Sequence, residues 1–413
     1  MLKQIEGSRA VAEAIALCRP QVICAYPITP QTHIVEELGA LVKTGELEGC
    51  EFINVESEFA ALSVAIGASA AGARAYTATS SQGLLYMTEA VYNASGMGLT
   101  IVMTLGNRAI GAPINIWNDH SDAMAIKDAG WVMLFAETNQ EAVDLHIQAF
   151  CLAEELSTPV MVCVDGFILT HAYEQVELPS QHEVDHFLPA FGPSQVLDPN
   201  KPITMGALVG PEAFAEVRYI AHHKQQRALE RIPVLAREFA NSFGRASGGL
   251  LHLYKTEKAK TLIVAMGSVC GTIEDVVDEM RAAGDSVGVV VLGTFRPFPF
   301  DALREALRGA SKVIVVEKSL TAGMGGPLAA DVRLATHKSK QTIYSVIAGL
   351  GGRPITKESI RNIIQRAGHG ELPDITFLDL NWDAVNEAIA GPKPAQASAP
   401  EIAMKYANNH SPQ

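Results

Sequence analysis

Short apolar runs alternate with helix-spaced apolar positions through the first third of the chain. The runs "VICAY", "EFINV", "ARAYTAT", "LTIVMTL", "WVMLF" and "PVMVCVD" carry little polar interruption, so each reads as a strand buried on both faces. Between them the spacing predicts helices over 32–42, 57–71, 84–94 and 140–155. Thr138, followed three residues on by Glu141, gives the last of these a capping-box start. Strands alternating with helices predict parallel βαβ units and a doubly wound sheet.

From residue 169 to 260 the alternation fails. The stretch "HAYEQVELPSQHEVDHFLPAFGPSQVLDPNKPITMG" is rich in proline and polar residues, and "AHHKQQRALERIPVLAREFANSFGR" is a charged helical piece. A structureless loop of that length is uncommon in a compact domain, so a bridging connection with one or two helices is expected. A second alternation starts at "TLIVAMGS" and runs through "SVGVVVLGTF", "SKVIVVEKS" and "QTIYSVIAG", with helices over 272–283, 301–307, 325–336 and 357–366. The expected division is a larger α/β domain with its connecting segment over 1–240, a smaller α/β domain over 258–390, and a proline- and alanine-rich tail over 391–413.

Composition narrows the function classes. A chain of 413 residues that is 48% hydrophobic and 19% charged is globular, with a large core to bury. Its net charge of -13 opposes nucleic acid or an anionic membrane surface as partner. The six cysteines are scattered without a C-x-x-C pair, which excludes a disulfide framework, a thiolate zinc site and a cluster-ligand run. "MLKQIEGSRAVAEAI" lacks the basic start and apolar core of a signal peptide. Glycines, Asn93 and Ser95 break the uncharged stretch over 90–107, so no membrane span and a cytoplasmic location are expected.

In open α/β sheets ligands bind beyond the carboxyl ends of the strands. Four unusual segments fall there: "YPITP", "ESE" at 56–58, "TSSQG" at 79–83 and "GNRAIGAPINIWNDHSD" at 106–122. Pro27 and Pro30 stiffen the first loop around Thr29, which suits either a plain turn or a binding element. Glu58 opens an apolar helix. It reads as an acid favoured by the helix dipole, or as a carboxylate aimed into an apolar cleft. In "TATSSQGL", Ser80 or Ser81 caps the next helix, or the glycine lets the backbone approach a ligand. Arg108 follows a charge-free strand, and its guanidinium needs either a structural ion pair or a substrate carboxylate.

Asp119, His120 and Asp122 have metal-ligand residue types, but Asx and Ser residues in loops usually hydrogen-bond their own backbone, so no metal is assigned. The glycine runs "TAGMGGPLAA" and "AGLGGRPIT" do not make a dinucleotide fingerprint. Leu328 stands where the third glycine belongs, and no acidic ribose contact follows either run.

Taken in order, "YPITP", "VESEFAA", "GARAYTATSSQGL", "NRAIGAPINIWNDHSD", "FRPFP" and "GLGGRPIT" resemble the alpha subunit of pyruvate:ferredoxin oxidoreductase, or pyruvate synthase, among the 2-oxoacid:ferredoxin oxidoreductases. The resemblance runs from Gly7 to about Asp379. It implies a thiamine diphosphate pyrimidine-binding-type domain followed by a smaller transketolase C-terminal-like domain. The implied reaction interconverts pyruvate, CoA and oxidised ferredoxin with acetyl-CoA, CO2 and reduced ferredoxin. Carried over position by position, Glu58 is the carboxylate that hydrogen-bonds the cofactor's aminopyrimidine ring. Thr29 and Arg108 hold the substrate carboxylate, while Tyr26, Pro27, Ile28, Thr79, Ser80, Ser81 and Gln82 line the cofactor.

The resemblance also implies a missing half. Thiamine enzymes hold Mg2+ and the diphosphate with a G-D-G motif and paired asparagines, yet "AGDSVG" is no match and "NN" occurs only in the tail. A beta subunit is expected to supply that site and an iron–sulfur cluster. Gamma and ferredoxin-like delta subunits are expected to complete a twofold assembly that passes electrons to ferredoxin, and the chain alone is expected to be inactive. Other readings keep the chemistry on 2-oxoglutarate, a branched 2-oxoacid or oxalate, pass the product to lipoamide, or make the chain a non-catalytic scaffold.

Overall fold

The computed structural model describes residues 2–390, so the expected tail over 391–413 lies outside the described residues. Seven strands precede the long connection and an eighth lies within it: β1 (Leu2–Glu6), β2 (Val22–Cys24), β3 (Glu51–Ile53), β4 (Ala75–Thr79), β5 (Ile101–Asn107), β6 (Val132–Phe135), β7 (Val160–Asp165) and β8 (Tyr173–Glu177). Seven follow it: β9 (Leu251–Tyr254), β10 (Thr261–Ala265), β11 (Val287–Leu292), β12 (Thr294–Arg296), β13 (Lys312–Glu317), β14 (Thr342–Ile347) and β15 (Ile375–Phe377).

The main sheet runs β12-β6-β7-β5-β4-β2-β3. Its neighbours are parallel except β12, which lies antiparallel on β6. Strands β4, β5, β6 and β7 are buried along their whole length, as a sheet covered on both faces requires. The chain moves from β2 outward to β3 and then back across to β4, so the order reverses at β2. The crevice between the carboxyl ends of β2 and β4 is therefore a topological switch point.

The helices fall close to their expected places. Thr32–Thr44, Glu58–Ala70 and Asn139–Leu156 are single helices. Ser57 caps the second by accepting from Ala60 N at 3.2 Å. Thr138 caps the third, accepting from Glu141 N at 3.1 Å, but the Glu141 carboxylate accepts from Glu137 N instead of completing the box. The helix expected over 84–94 is two helices, Ser81–Tyr86 and Thr88–Met97. They meet at Met87, whose backbone (φ -92°, ψ 8°) leaves the helical region.

Beyond β7 the connection holds β8, a short helix Gln181–Phe187 and a 30-residue helix Phe214–Phe243. Strand β8 pairs antiparallel with β1 in a separate two-stranded sheet. The second large sheet runs β15-β14-β13-β10-β11-β9, parallel except for β9 on β11. "FRPFP" is more than a turn: its first two residues lie in β12, which extends the main sheet although it follows the second domain's β11. One continuous apolar core joins Met103, Trp131 and Phe135 of the first domain to Leu262, Phe295 and Leu303 of the second. Among the described residues, no helix is long and apolar enough to cross a membrane.

Candidate functional site

The loop after β2 is stiffened from both sides. Gln31 is fully buried, and its Nε2 donates to the carbonyl of Tyr26 at 2.8 Å, closing the "YPITP" segment on itself. Tyr26, Pro27 and Thr29 remain exposed, Ile28 is partly covered, and Pro30 is buried. Arg108, at the end of β5, is 8% exposed. Its Nη1 donates to the Thr29 carbonyl at 2.9 Å and its Nε to the Asn115 carbonyl at 3.1 Å. Burial lowers the guanidinium pKa from its ordinary value, an effect opposed by nearby Asp122. The second nitrogen of the fork, Nη2, makes no hydrogen bond among the described residues.

Across the crevice, Glu58 is 9% exposed whereas Glu56 is exposed, so the two acids of "ESE" are separated by position alone. Gly83 lets Glu58 in: a Cβ there would lie 2.5 Å from Thr79 Oγ1 and 2.8 Å from Glu58 Cγ and Oε1. Gly106 does the same on the next strand, where a Cβ would lie 3.0 Å from Ser80 Oγ. Thr79 Oγ1, Ser80 Oγ and Gln31 Oε1 are buried without a hydrogen-bond partner. Buried polar atoms are ordinarily paired, so these three orphans at the carboxyl ends of β2 and β4, Thr79 Oγ1 packed with Glu58 against Gly83 and Ser80 Oγ with Gln31 against Gly106, mark a place built to receive polar groups. Ser80 does occupy the N-cap position, but its hydroxyl makes no cap bond. The plain-cap reading fails there.

Ser81 sits in the left-handed region (φ 47°). Its N donates to Asp122 Oδ2 at 3.0 Å, and its hydroxyl donates to the Ala109 carbonyl. Gln82 is partly buried, and its Nε2 fills the space that a Cβ on Gly111 would need. Asp122 also accepts from Asn107 Nδ2 at 2.9 Å and from Arg108 N at 3.0 Å, so one buried carboxylate ties the loops after β4 and β5 together. Burial pushes its carboxyl up to about 7, against these three hydrogen bonds.

Within "NDHSD", Asp119 and His120 turn to separate partners. Asp119 Oδ1 accepts from Ser121 N at 3.0 Å, the Asx contact expected of such a loop. His120 Nε2 instead pairs with Asp165 Oδ1 at 2.7 Å.

The same loop is held from the far side by the second domain. Asn115 Nδ2 donates to the Gly351 carbonyl at 3.1 Å, Gly351 N donates to Asp119 Oδ2 at 3.0 Å, and His120 N donates to the Lys318 carbonyl at 2.7 Å. A Cβ on Gly352 would lie 2.4 Å from Trp117 Cβ, so "AGLGG" is a close-approach surface for this loop, not a phosphate cradle. Behind it, Asp165 accepts from Lys318 Nζ at 2.7 Å and Ser268 N at 2.8 Å, joining β7 to the second domain. Burial alone would raise its carboxyl, but Lys318 and His120 hold it well below the usual carboxylate range.

All ten residues expected at a site lie on or beside this edge. Sequence reasoning missed Gln31, Asp122 and Asp165 as positioning groups. Gln31 adjoins "YPITP" and Asp122 ends the loop after β5, whereas nothing around Asp165 sets it apart.

Comparison with known proteins identifies two family models. The one described as "Pyruvate flavodoxin/ferredoxin oxidoreductase, thiamine diP-bdg" matches residues 13–236. "Pyruvate:ferredoxin oxidoreductase core domain II" matches 259–360. Pyruvate synthase subunit PorA of Methanosarcina barkeri is 47% identical over 91% of this chain and 96% of its own length. Ketoisovalerate oxidoreductase subunit VorA of Pyrococcus abyssi is 37% identical over 88% of this chain and 92% of its own. Among solved structures, 2-oxoglutarate:ferredoxin oxidoreductase from Magnetococcus marinus, with 2-oxoglutarate, coenzyme A and succinyl-CoA bound, superposes with a TM-score of 0.69 at 21% identity. That match covers 89% of this chain and 65% of the other, and at this identity it speaks for the fold alone.

Proposed function

The chain belongs to the pyruvate:ferredoxin oxidoreductase family as an alpha-type subunit, and we propose that its switch-point crevice is one half of a composite site for thiamine diphosphate and pyruvate. The observation that carries this is the pairing, across one crevice, of a largely buried Glu58 beside orphaned Thr79 and Ser80 hydroxyls with an Arg108 fork held on Thr29. A carboxylate and unpaired hydroxyls fit the ring nitrogens and amino group of an aminopyrimidine, and nothing here fits a diphosphate. When bound, the cofactor supplies the carbanion chemistry that cleaves a 2-oxoacid next to its carbonyl.

The remaining work falls to this chain's own residues. Glu58 holds a ring nitrogen and fixes its protonation by hydrogen bonding. Gly83 keeps that carboxylate at its station. Arg108 Nη2 and the Thr29 hydroxyl grip the substrate carboxylate, and the hydrogen-bonded loop spends little entropy on binding.

Turnover converts pyruvate, CoA and oxidised ferredoxin to acetyl-CoA, CO2 and reduced ferredoxin, reversibly. A multi-subunit complex follows from the subunit nature of the relatives. In our reading a beta subunit brings Mg2+, the diphosphate site and a cluster, and gamma and delta subunits carry electrons onward within a twofold assembly. Pyruvate is favoured over a branched acid because the PorA relatives reach 47% identity and the VorA relative 37%.

The test is an anaerobic assay of the chain co-purified with its partner subunits, following CoA-dependent reduction of ferredoxin. Rapid reduction with pyruvate that disappears without thiamine diphosphate supports the reading. Turnover with 2-oxoglutarate, oxalate or 2-oxoisovalerate alone moves the substrate. Silence with all four from a cofactor-loaded complex overturns it.

A further inference from the structure

Three groups from distant parts of the sequence meet beside the "YPITP" loop. Glu6 ends β1, His33 lies in the first turn of the helix Thr32–Thr44, and His171 follows the turn after β7. Each offers one ligand-type atom, and the three atoms lie within 4.8 Å of one another. We propose that Glu6, His33 and His171 form a binding site for a divalent transition-metal ion, with zinc the best match to the donor set.

A plain hydrogen-bonded pair explains only part of the arrangement. Glu6 is buried, and its Oε1 meets His33 Nδ1 at 2.5 Å. His171 has no hydrogen bond to either residue, yet its ring lies 4.8 Å from that of His33. The His171 ring is fixed independently. It stacks on Phe167 at 4.6 Å, and its Nδ1 pairs with Thr170 Oγ1 at 2.7 Å. An imidazole anchored through one nitrogen presents the other for coordination, as the outer-shell partners of metal-binding histidines do. Glu6 has one further charged neighbour, Arg9, whose Nε stands 3.9 Å from the opposite oxygen, Oε2.

The donor set selects the ion. Two imidazoles and a carboxylate suit zinc and its first-row neighbours, whereas magnesium and calcium prefer all-oxygen shells. Zinc holds nitrogen and oxygen ligands at about 2.0–2.2 Å, which sets tetrahedral ligands about 3.4 Å apart, so the Glu6–His33 pair opens by about 1 Å and His171 draws in to close the shell. His33 is exposed and His171 only partly buried, so both have room for that movement, with water as the fourth ligand. The six cysteines are all buried, so thiolates do not compete. The exposed pair His182 and His186, one turn apart on the helix Gln181–Phe187, is the rival surface site and serves as the control.

A bound ion would join the end of β1, the helix that follows "YPITP", and the turn that packs on Pro30 through Gly166. This inference stands apart from the catalytic reading, because its test needs no turnover.

The full chain, stripped with chelator, is titrated with ZnCl2 by calorimetry. His33→Ala, His171→Ala, the double variant and a His182→Ala/His186→Ala control are run beside it. Circular dichroism checks that each variant is folded. The proposal expects one saturable equivalent in the wild type and the control, a loss of affinity of about thirtyfold or more in each single variant, and loss of the visible band of the Co2+ form. An unchanged isotherm in the double variant, or no saturable zinc binding to the wild type, overturns it. Should an alanine variant fail to fold, His33→Gln and His171→Gln are titrated in its place, with the same outcomes supporting or overturning the site.

Discussion

Arg108 Nη1 donates to the backbone carbonyl of Thr29 at 2.9 Å, so two residues 79 positions apart form one unit at the mouth of the crevice. The bond uses one arm of the guanidinium fork and leaves Nη2 without a hydrogen bond among the described residues, the arm we propose for a substrate carboxylate. Lysine at this position cannot hold the Thr29 and Asn115 carbonyls and still present a second arm. Arg108→Lys is expected to raise the pyruvate KM by about tenfold or more, and Arg108→Ala to lower kcat/KM by about a hundredfold, near 3 kcal/mol. The KM for CoA should stay unchanged in steady-state assays of the complex. Equal loss for both substrates would point to misfolding.

Gly83 has no room for a side chain. Alanine there would drive a methyl into Thr79 Oγ1 and Glu58, whose atoms stand 2.5 and 2.8 Å from the Cβ position. Gly83→Ala is expected to weaken thiamine diphosphate retention by at least about tenfold, roughly 1.4 kcal/mol, while the complex still assembles. Cofactor content after gel filtration measures it.

His146 makes stability depend on acid. It is fully buried between Thr104 Oγ1 and the Ala142 carbonyl, each at 2.6 Å, and burial lowers its pKa to about 4. Between roughly pH 6.5 and 4 the unfolded chain binds a proton that the folded chain refuses. Its contribution is therefore complete above pH 6.5 and falls away as the pH drops toward 4, by roughly 3 kcal/mol in all. Urea unfolding at pH 7, 6 and 5 should show this decline, and His146→Gln should flatten it.

The loop that carries Asn115 and Asp119 depends on the second domain. Asp165→Asn would leave the Lys318 ammonium buried without its counter-charge, which costs about 3–5 kcal/mol. The thermal midpoint should fall by several degrees. Asn115→Ala removes the Gly351 contact and the hydrogen bond that Asn115 Oδ1 accepts from Trp117 N, both within this loop region, so it should raise the pyruvate KM severalfold with little change in the midpoint.

Much of this was legible in the chain because buried parallel strands must be apolar end to end. β7 follows its run almost residue for residue, β4 and β5 fall within two residues of theirs, and the four odd loops do gather on one edge. Packing decided what composition could not. β12 joins the first sheet although its sequence neighbours belong to the second, and "FRPFP" carries no mark of that choice. The helix expected over 84–94 breaks at Met87, a residue with no helix-breaking chemistry of its own. Glu58 and Glu56 look alike as letters, and only the fold buries one and exposes the other. Asp122 has the residue type of a metal ligand, but its hydrogen bonds to Ser81 and Arg108 come from segments whose closeness only the structure reveals.

The most direct measurement is pyruvate-dependent ferredoxin reduction by the intact complex carrying Glu58→Gln, with subunit and cofactor content determined on the same sample. Glutamine keeps the size and places an amide where the carboxylate stood. A rate reduced by about a hundredfold or more, in a complex that still holds its subunits, is the expected result. A rate within about twofold of the wild type, near 0.4 kcal/mol, would contradict the role of Glu58 and with it the assignment of the crevice.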